Sequence, residues 1–154
     1  MAEKNEDVIG YLNDLIETCK DGEQGFRTAA EEVGEEGDAE LRTLFNLYAQ
    51  QRARFGAELQ DEVRRLGGDG AKAGHVSAAF HRGWMTVKSA VTGRTEAAII
   101  AECERGEDAA MRNYESALKK NLPSDLLDLV EAQYSEIRLA HNRVRSLERT
   151  FGAG

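Results

Sequence analysis

Residues 8–33 read VIGYLNDLIETCKDGEQGFRTAAEEV, and apolar or small side chains recur there at Val8, Leu12, Leu15, Cys19, Gly22, Phe26, Ala30 and Val33. The steps alternate between three and four residues, which is the period of one face of a bundled α-helix. The helix this predicts covers about 5–33, and the stretch Gly34-Glu35-Glu36-Gly37-Asp38 ends it. Glycine supplies the turn, and Asp38 stands where a second helix needs an N-cap.

The same period recurs outward from this hairpin. Leu41, Leu44, Tyr48, Phe55, Leu59 and Leu66 mark a helix over about 39–66, stopped by the C-cap signal Gly67-Gly68. At 1.5 Å per residue it is roughly 40 Å long. Beyond a glycine-rich connection, Phe80, Trp84, Val87 and Val91 mark a shorter amphipathic helix over about 75–92. A third long helix, about 95–120, turns Ile99, Ile100, Cys103, Ala110, Tyr114 and Ala117 inward. Asn121-Leu122-Pro123-Ser124 breaks the chain, and a fourth helix over about 125–151 carries Leu127, Val130, Tyr134, Ile137, His141, Val144 and Phe151. Pro123 is the only proline, so the turns that punctuate strand-rich folds are missing and the fold class is all-α. Two short turns make two antiparallel hairpins, and the connection from about 67 to 94 is long enough to cross the bundle. This is a four-helix bundle with ferritin-like connectivity, in a single domain over 1–154.

Charge and composition exclude several roles. With 28 acidic against 20 basic residues the net charge is −8, and the basic residues do not cluster, so nucleic acid is not an expected partner. No apolar run approaches the roughly 20 residues that cross a bilayer. The start Met1-Ala2-Glu3-Lys4-Asn5 lacks the features of a secretory signal, which predicts a cytoplasmic protein. Cys19 and Cys103 are too few for a disulfide framework and read as small core residues. Phosphate loops, nucleophilic triads, CxxC pairs and HExxH motifs are absent, so most enzyme classes have no support.

An internal repeat locates the centre. Cys19-x-x-Gly22-Glu23 recurs 84 residues later as Cys103-x-x-Gly106-Glu107, and Leu15 and Ile16 match Ile99 and Ile100 at the same offset. This implies a pseudo-twofold axis with Glu23 and Glu107 facing across it. The other two helices correspond at an offset of 86, with Tyr48, Arg52 and Phe55 matching Tyr134, Arg138 and His141. An offset of 85 aligns Leu44 with Leu129 and Leu66 with Phe151 instead.

Over residues 5–150 the chain resembles the ferritin-like, rubrerythrin-like superfamily. Within it the chain is similar to a bacterial four-helix-bundle family described only as a domain of unknown function. Gln51-Arg52-Ala53-Arg54-Phe55, His81-Arg82-Gly83-Trp84-Met85 and Ala101-Glu102-Cys103-Glu104-Arg105-Gly106-Glu107 carry the likeness. Di-iron members of the superfamily place one Glu on each of two helices and E-x-x-H on each of the others. The resemblance puts Glu23 and Glu107 at the lone glutamates, but the E-x-x-H positions read Arg52-x-x-Phe55 and Arg138-x-x-His141. Arginine stays charged and cannot ligate a cation, so the expectation is a metal-free centre built of Glu23, Arg52, Glu107 and Arg138, with no cofactor. Gly22, Gly25 and Gly106 cost about 1 kcal/mol each inside helices, and their benefit is close helix approach or room for an arginine beside each glutamate. The resemblance implies a non-catalytic homodimer linked to bacterial stress. The Phe80-Trp84-Val87-Val91 stripe reads as intramolecular core or, where part of it is exposed, as a dimer contact through Phe80 and Trp84. The alternative is a divergent iron or manganese oxidase, ferroxidase or peroxide-handling protein. It would use Glu23, Glu107 and His141, helped by Glu104 or Glu136.

Overall fold

Among the described residues four helices form where the stripes and caps require: α1 (Ala2–Val33), α2 (Ala39–Arg65), α3 (Glu96–Leu118) and α4 (Ser124–Gly152). The structure, a computed structural model, describes residues 2–68 and 95–152, with side chains over 5–68 and 95–151. The expected short helix at 75–92, with Phe80 and Trp84, lies outside the described residues.

Local chemistry sets the helix ends. Gly34 takes a left-handed φ of 72° after α1. A Cβ at Gly37 would fall 2.3 Å from the Val33 carbonyl oxygen, so only glycine fits that turn. The Asp38 carboxylate accepts a hydrogen bond from the Leu41 amide at 3.0 Å and caps α2. The Thr95 hydroxyl accepts from the Ala98 amide at 3.2 Å and caps α3. At the far end of α2, Gly67 has a φ of 92° and the Gly68 amide donates back to the Val63 carbonyl at 2.9 Å.

The hairpins α1–α2 and α3–α4 pack side by side through α1 and α3, whereas α2 and α4 touch at only a few positions. The pairs α2/α3 and α1/α4 are therefore the diagonals of the bundle. Gly68 sits against Ile9 at one end, while the Asp38 amide donates to Glu96 Oε2 at 2.7 Å at the other. Residues 69–94 thus link opposite ends, which is the expected crossover connectivity.

The core comes in two apolar halves. One is built around Leu12, Leu15, Phe55, Leu59, Val130 and Ile137, the other around Phe26, Phe45, Ile99, Ile100, Cys103 and Val144. Each fully buried aliphatic or aromatic side chain contributes about 1.5–3 kcal/mol of transfer free energy. Two sequence expectations change. Leu126, not Leu127, is the buried residue that begins the α4 seam. The inward positions of α2 (Leu41, Phe45, Arg52, Phe55, Leu59) match those of α4 (Leu126, Val130, Ile137, Ala140, Val144) at an offset of 85, not 86. One residue is a rotation of about 100° on a helix, so the counterpart of Arg52 is Ile137 and Arg138 turns outward.

Candidate functional site

Between the two apolar halves lies a polar layer. Arg52 follows Ala49 and precedes Phe55 on the α2 seam, and Glu107 lies between Cys103 and Ala110 on α3. Their side chains meet across the bundle diagonal, with Nη1 2.5 Å from Oε1 and Nη2 2.6 Å from Oε2. Arg52 is 1% exposed and Glu107 not at all. This is a bidentate fork, the geometry in which a guanidinium and a carboxylate bind best. The Arg52 Nε–H donates to Gln51 Oε1 at 3.1 Å, and the guanidinium carbon lies 5.4 Å from the centre of the Phe26 ring. Burial by itself would lower the proton affinity of Arg52; the charge and hydrogen bonds of Glu107 outweigh it and hold the guanidinium above the ordinary arginine range. Gly22 on α1 makes the room. A Cβ there would lie 3.2 Å from both Arg52 Cγ and Arg52 Nη1.

The other residues expected at the centre lie elsewhere. Arg138 is exposed, for the reason of register given above. Glu23 is only half-buried and turns outward to Arg27 Nη2 at 2.8 Å and Lys20 Nζ at 3.7 Å. It matches Glu107 in the repeat, but the α4 counterpart of Arg52 is the apolar Ile137, so no inward cation awaits it. His141 is buried at the flank of the bundle, its Nε2 2.6 Å from Asp108 Oδ1. Glu23, Glu107 and His141 thus each have their own partner, in Arg27, Arg52 and Asp108. Glu136 pairs with Arg54 at 3.5 Å. Glu104 is part-buried near His141, and burial together with the Glu148 and Asp108 charges raises its carboxyl above the usual range. Among the described residues, no three His, Cys, Asp or Glu side chains converge as a metal site requires. The donor set at the centre does not fit the two metal ions of a di-iron centre, because a guanidinium holds both oxygens of the Glu107 carboxylate.

A second buried polar chain escaped the sequence reading. Cys19 Sγ lies 3.1 Å from Tyr114 Oη, whose hydroxyl donates to Gln133 Oε1 at 2.7 Å. The Gln133 amide in turn donates to Glu58 Oε1 at 2.9 Å and to the Phe55 carbonyl at 3.3 Å. The chain runs α1, α3, α4, α2 and so joins all four helices. Burial pushes the Cys19 thiol up to about 11, although its bond to Tyr114 works the other way. Burial also raises the Tyr114 hydroxyl well above its ordinary value, and the neighbouring Cys19 adds to the effect. Gln133 was findable, since it falls on the seam midway between Val130 and Ile137. Nothing in the spacing singles out Asp108 as the partner of His141.

The family described as Domain of unknown function (DUF2383) matches residues 7–120, and the chain belongs to it. No curated protein matches. Among solved structures, a mutant of Mycobacterium smegmatis Dps1 is similar with a TM-score of 0.78 and 14% identity, over 95% of this chain and 97% of that one. A two-domain Anabaena variabilis protein containing DJ-1/ThiJ/PfpI-like and ferritin-like domains is similar with a TM-score of 0.76 and 19% identity. That match covers 95% of this chain and 40% of the other. At such identities the likeness shows the fold: an all-α, ferritin-like four-helix bundle.

Proposed function

We propose that this member of DUF2383 is a non-catalytic ferritin-like bundle in which the Arg52–Glu107 pair stands in place of a metal centre, and that it acts through its surfaces as a homodimer. The observation that carries this reading is the buried fork from Arg52 to both Glu107 oxygens, at 2.5 and 2.6 Å. A guanidinium offers a cation no lone pair and repels it by charge. Admitting a metal would require Arg52 to leave, and an ion left unpaired in the core costs about 3–5 kcal/mol. Elemental analysis of protein purified without chelators is expected to find far less than one iron or manganese per chain. Fe(II) added in air is expected to oxidise at the protein-free rate. Near-stoichiometric metal, or clear acceleration of iron oxidation, overturns the reading. Its physiological side is a cytoplasmic role in bacterial stress. A deletion strain that grows like its parent under oxidative, heat and starvation stress counts against that part.

A further inference from the structure

The groove between α2 and α4, the neighbouring pair that touch least, opens to solvent. It has a volume of about 360 Å³ and is lined by Leu44, Leu47, Leu147 and Phe151, with Glu40 and Arg143 among its polar residues. Leu47 is 55% exposed and Leu139, one turn before Arg143, is 70% exposed. Large apolar side chains left open along one face and rimmed by charge mark an interaction surface.

We propose that this face is a self-association surface, occupied by a second copy of the chain related by a twofold axis parallel to the bundle. The proposal rests on the homodimer reading above and specifies where the two copies meet. Charge selects the occupant. The α2 face runs from the acids Asp38 and Glu40 at its start to Arg54, and the antiparallel α4 face runs from Glu136 to Arg143. Within one chain Arg54 and Glu136 already meet across the groove at 3.5 Å, which fixes the level of the two helices. A twofold axis parallel to the helices keeps that level and lays α2 on the second copy's α4. Arg54 then falls opposite Glu136, Glu40 lies toward the end carrying Arg143, and Leu44 and Leu47 lie among Leu139 and Leu147. The second contact repeats the first by symmetry, as an isologous interface must. Two helices of this length side by side present a face of about 800 Å², the area each partner contributes to a standard interface.

Size-exclusion chromatography with light scattering on the full chain tests this. The wild type is expected at twice the 17.0 kDa chain mass. Leu47→Glu and Leu139→Glu change exposed positions, so each is expected to keep a helical circular dichroism spectrum while eluting as a monomer. Arg54→Glu should raise the dimer Kd by about tenfold or more, and adding Glu136→Arg should restore it. A wild-type dimer that all three single variants leave intact overturns this face and spares the homodimer reading. A wild-type monomer overturns both. A Leu47→Glu variant of unchanged mass but lowered melting temperature would mean that a segment of the same chain covers the groove, and would also overturn the proposal.

Discussion

A guanidinium and a carboxylate buried together each lose several kcal/mol of hydration, which their attraction offsets only when the geometry is good and the remaining donors are satisfied. Arg52 and Glu107 meet both conditions, yet such a pair is seldom worth more than apolar side chains of the same volume. Its removal in halves and as a whole should therefore differ. Arg52→Met leaves Glu107 alone in the core and should destabilise by about 3–5 kcal/mol at pH 7. Part of that loss should return as the pH falls toward 5, because a lone buried carboxyl takes up a proton more readily folded than unfolded. Combining Arg52→Met with Glu107→Met should bring the denaturation midpoint back to within about 1.5 kcal/mol of wild type. A double variant no better than the single one would show that the pair contributes more than mutual neutralisation. Gly22 offers a second check on the same residue. Gly→Ala inside a helix ordinarily gains about 1 kcal/mol. Here the new Cβ would press on Arg52 at 3.2 Å, and the fork to Glu107 keeps that side chain from yielding. Gly22→Ala should destabilise the wild type and stabilise an Arg52→Ala background, a change of sign that chemical denaturation of the four proteins would show.

Among the helices, polar contacts bridge one diagonal that backbone packing leaves apart and link the neighbouring pairs in a ring. Arg52–Glu107 ties α2 to α3, and the chain from Cys19 through Tyr114 and Gln133 to Glu58 touches every helix. Tyr114→Phe would leave the Gln133 carbonyl oxygen without its buried donor and should cost about 1–3 kcal/mol. Cys19 gives the network a pH signature. Its folded-state value of about 11 lies above the unfolded 9.0, so the native state keeps a proton that the unfolded chain releases between those pH values. The stability from this group is complete below pH 9 and declines by up to about 3 kcal/mol as pH rises to 11. Cys19→Ala should remove that part of the alkaline decline; an unaltered alkaline slope would count against a perturbed thiol. The helices themselves were legible because α1 carries an unbroken run of three- and four-residue spacings and because Asp38 stands where α2 needs its cap. The centre was only half legible. Offsets of 85 and 86 both align plausible residues in α2 and α4, and a helix turned by one residue exchanges a core position for a solvated one. That single step is why Arg138 was expected inside and why Glu23 lost its inward cation.

Seen as a whole, the bundle is tight along α1, whose Gly22 admits a neighbouring side chain, and loose between α2 and α4, where bulky leucines face solvent. The hairpin-crossover-hairpin order could be read from loop lengths alone, because a connection of 26 residues between Gly68 and Thr95 can reach the opposite end of a helix about 40 Å long. The open face could not be foreseen in that way. Leu44 reads as a core residue by its spacing, yet it lines the groove beside Leu47, which the weak approach of α2 to α4 leaves uncovered. If the second copy completes that face, folding and association are linked by mass action: each tenfold rise in protein concentration adds about 1.4 kcal/mol to the stability of the dimer. Spread over the unfolding entropy of two chains of this size, the melting temperature should climb by about 2 °C per decade of concentration. Leu47→Glu should abolish the climb and leave a single melting temperature at every concentration. A wild-type melting temperature that stays constant across two decades of concentration would mean that each bundle folds and melts alone, with Leu47 and Leu139 left open to water.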